Sequence, residues 1–171
     1  MRFIVILTLA VAVTLVHSGM LRQGGPIPRP DLPVLLVMLW TLTLGLQPGL
    51  LAATIVGLLA DSMSAAPFGM NTAALMLSVP IAMLRDRELV ESRFALALVL
   101  APLTTGVYYA VSLLVLQASG WPFDWGAEIA EVVIPAIAVN TLVAIPLYVL
   151  IALIAARLGM PYGGRRVRRA T

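Results

Sequence analysis

The chain has no cysteine and no lysine, one histidine, and little charge of either sign. The lack of cysteine excludes disulfides, iron–sulfur clusters and thiolate zinc sites. His17 alone cannot supply the several ligands a zinc ion needs, so it reads as a hydrogen-bonding residue of the first apolar run. The lack of lysine excludes P-loop and Schiff-base chemistry, both of which need its amine. Charged residues make up 11% of 171 residues, against about 25% in soluble domains. What is present is apolar: 61% of the residues are hydrophobic and the mean hydropathy is +1.02. A soluble fold of this length cannot bury so much apolar surface, so its solvent is lipid. The net charge of +3 rests on arginines that flank apolar runs. Anionic lipid headgroups or acidic protein patches suit them better than nucleic acid.

A hydrocarbon core of about 30 Å takes about 20 helical residues. Residues 3–21 fit one span. Arg2, Val16 and Ser18 give that run some signal-peptide character, but it continues past the cleavage position and reads as a retained helix. Residues 32–61 would make a helix of about 45 Å, too long for one crossing. GLQPG, residues 45–49, lies in the middle, and Pro48 followed by Gly49 is a break signal. The reading is two short helices, 32–46 and 49–61, joined by a tight turn. Further spans are expected at 70–84, 94–118 and 128–157, the last kinked at Pro135 and Pro146. The expectation is a single all-α membrane domain, a compact bundle of six transmembrane helices (five if 32–61 is one), with a basic tail at 158–171.

Arginine placement gives the orientation. With six spans, Arg2, Arg85, Arg87, Arg93, Arg157, Arg165, Arg166, Arg168 and Arg169 are cytoplasmic, and Arg22 and Arg29 lie outside. With five spans only Arg2 lies outside, so charge bias does not choose between the two counts and the Pro-Gly break does. Either way the tail is cytoplasmic and WPFDWG, residues 121–126, is external, with Trp121, Phe123 and Trp125 in an aromatic belt. RDRELVESR, residues 85–93, is a solvated turn or a cytoplasmic docking segment.

An ionisable group inside a membrane is a functional candidate. Asp61 ends a stripe of small residues at four-residue spacing, Gly49, Ala53 and Gly57, the pattern that lets backbones approach closely in lipid. One reading is a protein-contact face ending in a carboxylate. The other is a solvated helix end, with Asp61 capping the turn at Ser62–Ser64. Asn140, flanked by Ala136 and Ala144, is expected to make an interhelical hydrogen bond. Glu128 and Glu131 share a helical face, where they either share a proton or cation or complement a helix N-terminus. The polar groups within the spans are few and scattered along the chain. No nucleophile has a base beside it and no phosphate cradle is present. Neither catalysis nor a cofactor is expected.

GLLADSMSAAPFGMNTAAL, residues 57–75, resembles the rod shape-determining protein MreD family. A glycine (Gly57), an aspartate (Asp61), a small-residue loop with Pro67 and Gly69, and the polar Asn71 at the next helix start match its pattern. The size of the chain and its several short spans agree. The resemblance implies a noncatalytic subunit of the bacterial cell-elongation machinery in the cytoplasmic membrane. It also implies a membrane-anchored partner, MreC, and the company of MreB, RodA and a class B penicillin-binding transpeptidase. The fold it implies is similar to the substrate-capture subunits of energy-coupling-factor vitamin transporters, which supply the alternative function. Those subunits commonly carry an alanine pair at four-residue spacing in the first helix, whereas here Ala10 is followed by Thr14. A capture subunit would also need an outer pocket, for which Trp121, Trp125, Glu128 and Asn140 are the candidates.

Overall fold

The computed structural model describes residues 29–82 and 93–157, together with Thr8, Ala12, Thr14 and Gly19. The described residues form helices and no strand. They are α1 (Leu32–Leu44), α2 (Leu46–Met63), α3 (Met70–Ala82), α4 (Arg93–Ala118) and α5. The last has three consecutive parts, an α-helical turn Trp125–Glu128, a π-helical segment Ile129–Val133 and an α-helix Ile134–Arg157. Leu46–Met63, Ala95–Ala118 and Trp125–Leu150 are long and apolar enough to cross a membrane, and α1 and α3 are shorter and apolar. This is an all-α membrane protein.

The centre of the bundle is α1. Every residue from Pro33 to Thr43 is buried, and the helix packs on α2, α3, α4 and α5. A helix that is apolar all round belongs in an interior. Its two threonines hydrogen-bond back into the helix, Thr41 Oγ1 to the Val37 carbonyl and Thr43 Oγ1 to the Leu39 carbonyl, each at 2.8 Å. Both threonine hydroxyls of α1 are thus paired within the helix, whereas the buried Trp40 Nε1 has no hydrogen-bond partner among the described residues.

The break between α1 and α2 falls at Gly45, ahead of the expected Pro48-Gly49 turn. Gly45 has φ 102° and ψ −174°, a conformation open in practice to glycine alone. Pro48 is the third residue of α2, where its missing N–H has no intrahelical partner to lose. It therefore starts a helix here and breaks none. Gly49 then lies against Thr41, where a Cβ would collide with the threonine side chain.

The longer helices are lopsided. Leu103, Leu114, Leu142, Leu150 and Leu153 point outward and are exposed. The inward stripe of α5 is Ala136, Asn140, Ala144 and Tyr148, all buried at four-residue spacing. The Pro135 effect takes the form of a widened turn. Ile134 N–H donates to the Ile129 carbonyl five residues back, just before a proline that cannot donate to Glu131 and whose ring would strike that carbonyl. Pro146 lies inside the α-helical part of α5.

Candidate functional site at one end of the bundle

The start of α1, the end of α2, the start of α3, the end of α4 and the start of α5 meet at one end of the bundle. Two carboxylates sit there, each held by groups from other elements.

Asp61, in the last turn of α2, is buried. Its Oδ1 accepts from Asn71 N–H at 2.8 Å and Asn71 Nδ2 at 3.0 Å. Its Oδ2 accepts from Thr72 N–H at 3.1 Å and Thr72 Oγ1 at 2.6 Å. A helix begins with N–H groups that have no partner in the helix. For α3, Asp61 takes two of them, and the Met70 N–H goes to the Pro67 carbonyl at 3.1 Å. The carboxylate thus caps the following helix from the preceding one, where the α3 dipole also favours negative charge. The solvated helix end capping Ser62–Ser64 is not what forms. Only the Asp61 backbone carbonyl meets Ser64, accepting its N–H at 3.3 Å.

The loop is built for this closure. Gly69 has φ 94°, and Pro67 is partly buried. Gly57 lies so near Thr72 that a Cβ there would come within 2.5 Å of the Thr72 Cα. Gly49, Ala53, Gly57 and Asp61 are buried. Gly49 and Gly57, where a Cβ would collide with neighbouring groups, face Thr41 of α1 and Thr72 of α3 respectively. The small-residue stripe thus grips this chain's own helices, and at those points has no room for another polypeptide.

Asn71 carries the connection onward, its Oδ1 accepting from Tyr108 Oη of α4 at 2.6 Å. The next residue, Tyr109, donates to Asp31 Oδ2 at 2.8 Å, and the two rings meet edge to face with centroids 5.4 Å apart. Asp31 precedes α1 but makes no side-chain capping bond to it. Its backbone N–H donates to Asn140 Oδ1 at 2.7 Å, and Asn140 Nδ2 donates to Asp31 Oδ2 at 3.3 Å and Thr105 Oγ1 at 3.1 Å. Asn140 is fully buried, and it joins α5 to α4 and to the entry of α1. The polar groups that look scattered along the chain converge into two networks that touch through the tyrosine pair, the Asp31 network reaching Thr105 and Asn140 midway along α4 and α5.

Asp31, Thr72, Thr105, Tyr108 and Tyr109 were not singled out from the sequence. The available signal was the Tyr-Tyr pair inside an apolar run, since a buried tyrosine hydroxyl needs a partner.

A cavity of about 480 Å³ opens beside the tyrosines, with Asp31, Asn71, Ser112 and Glu128 on its polar side. Of the four residues considered for an outer pocket, Glu128 is in its described lining, whereas Trp121, Trp125 and Asn140 are not. Trp121 and Trp125 are exposed, and Trp125 stacks at a tilt on Phe123, centroids 5.3 Å apart. Glu128 and Glu131 lie at the start of α5 behind Asp124, which caps it by accepting from Gly126 N–H at 2.7 Å. Among the described residues no group of three histidine or carboxylate side chains could hold a metal ion. His17, Ala10, Arg85, Arg87, Arg165, Arg166, Arg168 and Arg169 lie outside the described residues. Arg93 is the first residue of α4, and its side chain is outside them too.

A family model for rod shape-determining protein MreD matches residues 1–157. The chain belongs to the MreD family. No curated protein and no solved structure matches it. The match covers all five described helices, so both carboxylate networks and the cavity belong to the family domain, as does the helix–loop–helix that holds Asp61. Membership makes this a rod shape-determining membrane protein.

Proposed function

We propose that this protein is a noncatalytic subunit of the bacterial cell-elongation machinery that binds MreC and helps to position peptidoglycan-synthesis enzymes. MreB, RodA and a class B penicillin-binding transpeptidase are the further members of that assembly. The observation that carries the reading, beside family membership, is where the polar groups go. Asp61, Asn71 and Asn140 are consumed in holding helices together. What remains for a partner within the bilayer is the outward apolar surface of the helices, where Leu51 and Leu58 of α2, Leu77 of α3, Leu103 of α4, and Leu142 and Leu153 of α5 stand exposed. Transmembrane helices associate by close van der Waals packing, which needs no reactive group. On this reading the protein sits in the cytoplasmic membrane with its carboxylate end outside. The arginines at 85–93 and 165–169 then face the cytoplasm, near anionic lipid or partner proteins.

The test is co-purification. Tagged protein extracted in mild detergent retains MreC, and its depletion turns rod-shaped cells round with no rescue by added nutrients. Failure to retain MreC under conditions that keep the helices folded would remove the proposal.

A further inference from the structure

The cavity at the carboxylate end has a composition that selects a ligand. Its described lining contains the carboxylates of Asp31 and Glu128 and no arginine. The Glu128 carboxylate has no hydrogen-bond or ion-pair partner among the described residues, and it is only partly exposed. The rings of Tyr108 and Tyr109 form part of the wall, and Leu75, Leu113 and Val132 belong to its apolar side. A volume of about 480 Å³ is within the range of small-ligand sites. Acid groups beside aromatic rings favour a cation, by charge and by the ring quadrupole. The apolar wall favours a hydrocarbon body attached to it. Exposed Phe68, Trp121 and Trp125 mark this end of the bundle, and aromatic side chains of that kind sit at headgroup depth.

We infer that this cavity binds an ammonium group carried on an alkyl chain, with the cation at Glu128 and the chain against the leucine and valine wall. Two sources have that chemistry, a membrane aminolipid and a free alkylamine. The inference does not depend on the partner role proposed above, and its test does not involve MreC.

The experiment uses the full chain in uncharged maltoside detergent, with decylammonium, decanoate and decanol as probes of one chain length. Decylammonium at about a hundred times its dissociation constant raises the melting temperature by roughly 5–10 °C, and decanoate and decanol do not. Glu128→Gln weakens decylammonium binding about tenfold, the loss of one charge-assisted contact. Glu131→Gln, an exposed carboxylate three residues on that is not in the described lining, leaves binding unchanged. Val132→Phe narrows the cavity without touching a charge and also weakens binding, so the inference stays testable if Glu128→Gln folds poorly. Equal stabilisation by decanoate, or equal loss in both glutamine variants, overturns it.

The source is read separately, by native mass spectrometry of protein taken from bilayers of phosphatidylethanolamine or of phosphatidylglycerol. Retained phosphatidylethanolamine that Glu128→Gln releases assigns the site to lipid. Binding of decylammonium with neither lipid retained assigns it to a free amine.

Discussion

Asp61 and Asp31 occupy the same end of one bundle and work over very different distances along the chain. The partners of Asp61 are ten and eleven residues away, so its network closes a single helix–loop–helix. Two side-chain partners of Asp31, Tyr109 and Asn140, are 78 and 109 residues away, so its network fastens the entry of α1 to α4 and α5. Neither acid serves its own helix. Asp61 sits in the last turn of α2, where the helix dipole disfavours it, and serves α3. Asp31 sits at the capping position of α1, makes no cap, and serves α4 and α5. In an apolar bundle a carboxylate goes where unpaired donors are, because an unmet donor costs more there than a poorly placed charge.

That contrast can be broken at either junction. Gly57→Leu should have the largest effect. Its side chain has nowhere to go but into the α3 backbone at Thr72, and an overpacked helix contact with no flexible neighbour costs about 3 kcal/mol or more. Lost monodisperse elution from a size-exclusion column is the readout. Asp61→Ala should follow, at about 3 kcal/mol in a reversible detergent or denaturant titration, since four donors lose their acceptor and two of them start a helix. Asn140→Leu removes the link among Asp31, Thr105 and α5 and should cost about 1–2 kcal/mol in the same titration. It should also increase proteolysis near the start of α1 before that near the Asp61 loop. Tyr109→Phe deletes one hydroxyl and should cost about 1 kcal/mol or less. If Tyr109→Phe proved as damaging as Asp61→Ala, the long-range junction would be the stronger, and the contrast would invert.

The two junctions were unequally legible. The Asp61 junction could be located in the sequence because its parts are neighbours: a glycine four residues before the acid, a proline–glycine loop, and an asparagine at the next helix start. Which face the glycine stripe presents was not legible. Four-residue spacing shows that something approaches closely, but cannot show that it is Thr41 and Thr72 of the same chain. The Asp31 junction was invisible, since nothing near residue 31 points to residues 109 or 140. Asn140 itself was legible as a polar residue within an apolar run, and so was the inward stripe it shares with Ala136 and Ala144. Hydropathy alone did not separate α1, which is interior, from α5, which is mostly outward. In lipid both sides of a helix are apolar, and only small and polar residues mark the inner one. The break at Gly45 was displaced to Pro48 because proline in a first helical turn resembles proline in a helix breaker until the preceding glycine's backbone is known.

Asp31, Asp61, Asn71 and Asn140 are spent on holding this chain's own helices together. A double-mutant cycle between Asp61→Asn and Thr72→Val, followed by reversible unfolding in detergent, tests this most directly. The two changes should be non-additive, with a coupling of about 1 kcal/mol. Additive effects, with each variant losing the same stability whether or not the other is present, would contradict it.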